Sequence, residues 1–277
     1  MKKQIIVLAG LVAVTGSVQA KLIASESFSA VGANVYQPGA SISTVGPNST
    51  VTGNFGFRES KPWNGLCAGI SIMSRAETSL THSALTGAAQ TGGVIIWRGD
   101  FTYDELSCRQ LEAVPPDSGV YFLSGLVTAK GATLVEGEAR LAGLMKSMSR
   151  DSTVKIGMHY GVRKNGGVTS LAVFAGGKAF DLLTLDGASA EKIYQVILKL
   201  QVSADGEETL TAWYAANGAA AMTEGLAATR IETWARRSDL ELVALQRDST
   251  STVGTKDFVV FDEVRFGTEL ADVTMYE

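Results

Sequence analysis

The sequence predicts an all-β fold, a two-sheet antiparallel sandwich, and three observations support this. Several short runs are rich in β-branched and aromatic residues, and Gly, Asp or Asn bound most of them. The 277 residues include 30 glycines but only 5 prolines, which suits a packed domain with many tight turns. No repeat, long linker or low-complexity tract divides the chain. We therefore predict a sandwich or jelly roll rather than a barrel or an α/β fold.

The first 20 residues have the pattern of a secretory signal peptide. Lys2 and Lys3 give a positive start, residues 5–14 are apolar, and Val18-Gln19-Ala20 has the small residues of a cleavage site. The apolar run is too short for a bilayer span, which takes about 20 residues. We expect cleavage after residue 20 and a single sandwich domain over 21–277. The mature product should be secreted or periplasmic, without an integral membrane segment.

Short apolar runs mark strands along most of the chain. An opening strand is predicted at 22–28, and the Gly-, Ser-, Pro- and Asn-rich stretch to about residue 54 has the composition of loops. Residues 136–147 fit a helix better, with a strand of the same sheet as the alternative. Further strands are predicted at 94–97, 120–123, 154–158, 171–174, 240–245 and 258–266.

The clearest unit is a β-hairpin around residue 205. Alternate residues are apolar from Val196 to Val202, and the alternation resumes from Leu210 to Tyr214. Asp205-Gly206 between them can take the positive φ angles of a hairpin turn. Helical spacing also fits residues 190–200, so a helix there is the alternative.

The last third of the chain resembles a known type of domain. Residues 261–273, FDEVRFGTELADV, look like the final strand of concanavalin A-like or laminin-G-like jelly rolls in exported bacterial proteins. Residues 196–214 are similar to the strands that precede it there. The resemblance implies a jelly-roll sandwich. Such relatives often end in a Pro-Glu-Pro motif, an apolar helix and a basic tip, which this chain lacks, so we expect a released product.

Charge and composition exclude some partners. Lys and Arg number 24 against 28 Asp and Glu, which gives a net charge of −4. No stretch concentrates basic residues with aromatics, as a phosphate-binding surface would. We therefore expect no nucleic-acid partner. The domain should also fold without a cofactor, with calcium as the alternative considered below.

The best candidate for ligand contacts is the segment 97–103. Sugar binding needs an aromatic platform with a few polar groups, and Trp97, Arg98, Asp100 and Tyr103 combine both. The expected partner is a polysaccharide or a cell-surface glycan.

Asp262 is the most unusual carboxylate of the sequence. Strict alternation places it on one strand face with four apolar residues, Phe258, Val260, Val264 and Phe266. A buried carboxylate needs a partner, and an arginine, backbone amides or calcium would each serve. Asp262 is therefore the candidate metal ligand.

The two cysteines, Cys67 and Cys108, are candidates for a disulfide in an oxidising compartment. Two separate buried thiols are the alternative, since free cysteine packs like a small hydrophobe. Neither a CxxC motif nor a zinc-binding spacing is present.

Catalytic patterns of jelly-roll enzymes are missing from the sequence. The E-x-D-x-x-E signature is absent, and alternation points the adjacent Asp262 and Glu263 to opposite faces. His82 and His159 lie in different segments, and we expect each to be exposed or satisfied in the core. We therefore favour a non-enzymatic glycan-binding domain. A polysaccharide-degrading glycosidase or lyase and a purely structural envelope protein are the alternatives.

Overall fold

Two antiparallel β-sheets pack face to face in the computed structural model, which confirms the predicted sandwich. The structure describes residues 22–26, 56, 64–65, 70–72, 80, 95–98, 106–112, 118–130, 136–145, 157–231, 242–247 and 258–274. The predicted signal peptide lies outside them, so its cleavage stays a prediction.

The described residues form fifteen strands and two short helices, α1 (Gly187–Ala190) and α2 (Leu270–Thr274). The strands are β1 (Leu22–Glu26), β2 (Asn64–Gly65), β3 (Ile70–Ile72), β4 (Ile95–Arg98), β5 (Leu106–Gln110), β6 (Gly119–Thr128), β7 (Gly137–Met145), β8 (Gly157–Asn165), β9 (Val168–Ala175), β10 (Lys178–Thr184), β11 (Tyr194–Val202), β12 (Glu208–Ala216), β13 (Thr223–Ile231), β14 (Leu242–Arg247) and β15 (Phe258–Gly267).

Each sheet combines runs of consecutive strands with neighbours that are distant in sequence. The eight-stranded sheet has the order β13-β12-β11-β6-β15-β4-β3, and β1 also pairs with β15. The seven-stranded sheet has the order β10-β9-β8-β7-β14-β5-β2. The first and last strands of the fold are therefore direct neighbours.

The predicted hairpin is confirmed as β11 and β12. Val196 pairs with Tyr214 and Val202 with Glu208, and Gly206 takes a φ of 87° in the turn. The helical alternative for residues 190–200 is wrong, because helix α1 ends at Ala190. Pairing with β6 on one edge and β12 on the other satisfies the backbone of β11 as a strand.

The helix predicted at 136–147 is also wrong, and the strand alternative is correct. Residues in this segment have good helix propensity, but β7 pairs with β8 and with β14 along both edges. Such tertiary pairing overrides local propensity. Gly143 also lies against the ring of His159, where an added Cβ would overlap that ring.

The core between the sheets is made of alternate residues from both. Those of β11 are Val196, Leu198, Leu200 and Val202, and those of β9 are Leu171, Val173 and Ala175. Tyr160 of β8 spans the core and brings its hydroxyl against Gly125 of β6. Gly125 thus provides the space that the phenol occupies.

The last strand, β15, contains a β-bulge at Asp262-Glu263. Its register against β6 shifts between Asp262 and Arg265, and Glu263 has a φ of 54°. Along the other edge, β15 pairs with β4 before the bulge and with β1 after it. The extra residue changes which positions face the core.

The strict alternation expected for β15 is therefore wrong. The core residues are Val259 and Phe261 before the bulge and Val264 and Phe266 after it. Asp262 instead pairs with Leu126, which lies on the face of β6 opposite to the core residues Leu123 and Val127. Asp262 thus shares a face with Val260 but not with Val264 or Phe266.

Replacing Gly125 tests the packing across the core. The Cβ of Gly125→Ala would overlap Tyr160 Oη and lie 2.8 Å from Tyr160 Cζ. We expect a loss of about 1–3 kcal/mol in the free energy of unfolding, as for other overpacked cores. Tyr160→Phe in the Gly125→Ala background should recover part of that loss, because it removes the overlapping hydroxyl. Equal denaturation midpoints for Gly125→Ala and the wild type would contradict this packing.

Candidate functional site

The predicted 97–103 site is only partly within the described residues. Trp97 and Arg98 lie in β4, where Trp97 pairs with Ile70 of β3 and with Val259 of β15. Asp100 and Tyr103 lie outside the described residues. The grouping of these four side chains therefore stays a prediction.

The predicted disulfide is also only partly within the described residues. Cys108 lies in β5, where it pairs with Asn64 of β2 and with Ala244 of β14. Cys67 lies outside the described residues. The Cys67–Cys108 bond thus remains a prediction.

The eight-stranded sheet has an outer face, the one turned away from the core, that changes from exposed to buried along its strands. On β11 the successive outward positions are Gln201, Lys199, Ile197 and Gln195, which are exposed, half-buried, buried and buried. The neighbouring strand β6 follows the same trend, since Val120 is half-buried while Leu126 is fully buried. We call the end with Gln201 and Val120 the open end of the outer face, and the end with Gln195 and Leu126 the closed end.

Two aromatic residues and several polar groups lie on the outer face, with Phe122 toward the open end and Trp213 in the row of the buried Ile197. Lys199 pairs with Phe122 of β6 and with Thr211 of β12, and Trp213 is the next outward position after Thr211. Phe122, Lys199 and Trp213 are all half-buried. We call Phe122, Lys199, Gln201, Thr209 and Trp213 the outer strip. It combines aromatic faces with amine, amide and hydroxyl groups, as sugar sites do.

Sequence reasoning did not select the outer strip. Phe122 and Trp213 are far apart in the chain, and the pairing of β11 with both β6 and β12 brings their strands close together. The available signal was the alternation of β11 and β12, which assigns Lys199 and Trp213 to the face opposite to the core.

Helix α2 is attached to the outer face near its middle. Ser124 Oγ donates a hydrogen bond to the carbonyl oxygen of Val273 at 2.7 Å, and Val273 is fully buried. Asp272 Oδ2 accepts hydrogen bonds from the backbone N–H groups of Thr268 and Glu269, which fixes the turn before the helix.

A group of buried ionisable residues surrounds the β15 bulge. We call Glu26, Arg109, Tyr160, Asp262 and Glu263 the bulge cluster. Asp262 has no exposed surface, and its Oδ1 accepts a hydrogen bond from the Glu263 backbone N–H at 2.8 Å. The backbone of Leu80 gives the carboxylate another hydrogen bond. Of the partners expected for Asp262, the structure shows backbone amides.

The pKa of Asp262 is raised well above its ordinary value of 3.8. Burial is the main cause, and the negative charge of Glu263 adds to it, with Glu26 contributing less. The backbone hydrogen bonds oppose the shift. Because Glu263 is the extra residue of the bulge, strict alternation does not determine the face on which its side chain lies.

An ion pair joins the two sheets beside the bulge. Arg109 of β5 and Glu26 of β1 lie 2.9 Å apart, from Nη1 to Oε2, and both side chains are buried. Glu26 pairs with the core residue Val264, so the ion pair lies on the core side of the sheet. Removing one member of such a pair costs about 3–5 kcal/mol, because the other charge stays buried.

Tyr160 adds a buried hydroxyl to the bulge cluster. Its Oη has no hydrogen-bond partner among the residues that the structure describes. Burial, and to a lesser extent the charge of Asp262, raises the pKa of the Tyr160 phenol above its ordinary value of 10.0. The phenol therefore stays protonated at neutral pH and keeps its capacity to donate a hydrogen bond.

His159 lies on the seven-stranded sheet, in β8. It is fully buried on the outer face of the seven-stranded sheet, beside Gly143 and opposite Phe174. His159 is therefore not exposed, and it lies on the face opposite to the core between the two sheets. His82 lies outside the described residues.

Metal binding and membrane insertion receive no direct support from the described residues. Among these residues, no group of three or more His, Cys, Asp or Glu side chains is arranged to bind a metal ion. Nor does the described part of the chain contain a helix long and apolar enough to cross a bilayer.

Comparisons with known proteins support the fold. No family model matches the chain, and no curated protein matches it. A PL-14 alginate lyase from the marine Aplysia kurodai matches with a TM-score of 0.51 and 13% identity, over 90% of this chain and 100% of the other. At this identity the likeness shows the sandwich fold.

Two further solved structures are similar at lower scores. A GH131 β-glucanase catalytic domain from Podospora anserina has a TM-score of 0.48 and 14% identity, over 75% of this chain and 82% of that one. An engineered GH43 glycoside hydrolase has a TM-score of 0.46 and 13% identity, over 78% of this chain. The match spans 39% of the GH43 enzyme.

The pH dependence of stability tests the environment of Asp262. Because its pKa is higher in the folded chain than in the unfolded chain, the folded state binds the proton more tightly. The free energy of unfolding should fall as pH rises from about 4 toward the folded pKa, by up to about 1.4 kcal/mol per pH unit.

The Asp262→Asn variant removes this titration and keeps an oxygen for the Glu263 N–H. Its stability relative to the wild type should therefore increase from pH 4 to pH 7, as measured by urea unfolding. Glu224→Gln, which removes an exposed carboxylate, is the control. Parallel pH profiles for Asp262→Asn and the wild type would contradict the raised pKa.

Proposed function

We propose that this chain is an exported, non-enzymatic β-sandwich protein that binds glycans or other cell-surface material on the outer face of its eight-stranded sheet. The outer strip is the observation that carries the proposal. It holds two half-buried aromatic side chains beside Lys199, Gln201 and Thr209 on neighbouring strands. The fold, which alginate lyases and glycoside hydrolases also adopt, is compatible with this function without proving it.

The chemistry of the outer strip suits sugars. The ring faces of Phe122 and Trp213 can pack on the C–H faces of a pyranose, and partial burial already restricts their motion. Lys199 and Gln201 supply donors for ring hydroxyl groups, and Gln201 and Thr209 also supply acceptors. The outer face extends along its strands, so a chain of several sugar residues can lie along them.

Burial argues against catalysis by the bulge cluster. General acid–base catalysis needs carboxyl groups within hydrogen-bond reach of the substrate. Asp262 and Glu263 are 0% and 6% exposed, and Glu26 is already paired with Arg109. A polysaccharide-degrading activity is therefore the alternative, and it would require these carboxyl groups to become accessible.

Glycan binding tests the proposed function directly. The purified wild type should bind at least one member of a glycan array, and it should release neither reducing ends nor unsaturated products from a polysaccharide panel. Trp213→Ala should weaken binding at least tenfold, about 1.4 kcal/mol, because it removes the larger ring of the outer strip. Lys199→Ala should also weaken it, whereas Lys178→Ala, an exposed lysine of the other sheet, should not.

Three outcomes would overturn the proposal. One is turnover of a polysaccharide that Glu263→Gln abolishes, which would favour the enzyme. Another is binding that Trp213→Ala leaves unchanged, which would remove the outer strip as the binding surface. A wild type that neither binds nor degrades any glycan of the panel would favour a structural envelope protein.

Calcium binding at Asp262 is a separate proposal. Its support is that Asp262 Oδ2 makes no hydrogen bond within the described part of the chain and that the charge of Glu263 acts on this carboxylate. Calcium should then raise the melting temperature of the wild type, and Asp262→Asn should abolish the shift. If calcium and EDTA give the same melting temperature, Asp262 has no role as a metal ligand.

A further inference from the structure

The outward positions of β6, β11 and β12 carry one charge, that of Lys199, and no carboxylate. These positions alternate with the core residues of the same strands. They are Val120, Phe122, Ser124, Leu126 and Thr128 of β6, Gln195, Ile197, Lys199 and Gln201 of β11, and Thr209, Thr211, Trp213 and Ala215 of β12. Because the whole chain has a net charge of −4, this surface differs in sign from the protein as a whole.

Lys199 is half-buried, and none of the residues that the structure describes forms an ion pair with it. A lysine in such a position covers the sheet with its aliphatic stem and keeps its ammonium group at the surface. The ammonium group is therefore accessible to a ligand. A ligand anion would supply the opposite charge that the outward positions of these three strands lack.

The charges of the edge strand β13 are arranged differently. Arg230 Nη1 lies 3.2 Å from Glu207 Oε1, so the positive charge of Arg230 is already compensated. Glu224 pairs with Trp213 and lies on the edge strand itself, whereas Lys199 lies two strands further in. Of the residues in and beside the outer strip, Lys199 thus offers the cation that a ligand can neutralise.

Two aromatic residues of the outer strip are neighbours of Lys199. Phe122 lies directly opposite it on β6, and Trp213 is its diagonal neighbour on β12. Directly opposite residues of antiparallel strands have Cβ atoms about 4.5–5.5 Å apart, and diagonal ones are about 7–8 Å apart. A pyranose ring that packs on either aromatic side chain therefore has its substituents within reach of the Lys199 amine.

We infer that the outer strip selects acidic glycans, in which a carboxylate or sulfate group of a sugar residue binds the Lys199 ammonium group. A charge-assisted hydrogen bond of this kind is about twice as strong as one between neutral groups. The aromatic rings alone would not distinguish an acidic sugar from a neutral one. This inference rests on the proposed glycan-binding function and adds the class of glycan.

A matched pair of ligands tests the inference on the wild type. The pair is a hexuronic-acid oligosaccharide and the same oligosaccharide with its carboxyl groups reduced to alcohols. In isothermal titration calorimetry the acidic member should bind at least tenfold more tightly. This advantage should shrink as the salt concentration is raised, because mobile ions screen the attraction. A sulfated oligosaccharide and its desulfated form make a second pair, which shows whether sulfate or carboxylate is the anion recognised.

The variant Lys199→Gln removes the charge and keeps a hydrogen-bond donor. The ratio of the acidic to the neutral affinity should fall toward one in this variant, whereas Lys199→Arg should keep the preference. Lys178→Gln, which removes an exposed lysine of the seven-stranded sheet, is the matched control and should keep the wild-type ratio. Melting temperatures show that each variant is folded.

The outcomes separate the class of glycan from the function. Equal wild-type affinities within both ligand pairs would overturn the inference while glycan binding stands. A preference for the acidic member that Lys199→Gln leaves unchanged would also overturn it. If the wild type binds no glycan, both the function and the inference are wrong. The comparison on the wild type decides the question even if Lys199→Gln does not fold.

Discussion

The fold depends on one strand that serves three partners. β15 pairs with β6 along one edge, and along the other it pairs first with β4 and then with β1. Because side chains alternate with a period of two, an uninterrupted β15 would turn Val264 and Phe266 away from the core if Val259 and Phe261 faced it. The extra residue at Asp262-Glu263 corrects the phase, so apolar side chains on both sides of the bulge reach one core.

The same bulge explains why charged groups are buried near the middle of a sandwich. The bulge lies on the edge of β15 where pairing with β4 ends and pairing with β1 begins. There the Asp262 carboxylate is hydrogen-bonded to the backbone of Glu263 and Leu80. β1 then carries Glu26 to the core side, where Arg109 of the opposite sheet meets it. A buried ion pair often adds little to stability compared with apolar packing, but it is costly to break. Its effect here is to restrict how the two sheets can be aligned.

The local sequence pattern was sufficient to predict the hairpin and most strand positions, because the alternation of apolar residues and the turn residues agree there. It failed at 136–147, where Ala, Leu and Met favour a helix and pairing on both edges of β7 decides otherwise. The sequence pattern also failed to predict the face on which Asp262 lies, since nothing in the sequence indicates that Glu263 adopts a positive φ. The outer strip depends on the pairing of β6 with β11, strands joined only by a long stretch of chain, so composition and spacing could not reveal it.

The pairing of β1 with β15 has a consequence for how the chain folds. The first strand of the described fold cannot find its place in the sheet until the last strand has been synthesised, and the core around it stays incomplete until then. Sheets closed by contacts this distant in sequence fold slowly, because loop-closure entropy must be overcome before the contacts form. A nascent chain of this topology cannot complete its core while it is being made. That delay is compatible with the proposed export, since an unfolded chain is the form that can be threaded through a membrane channel.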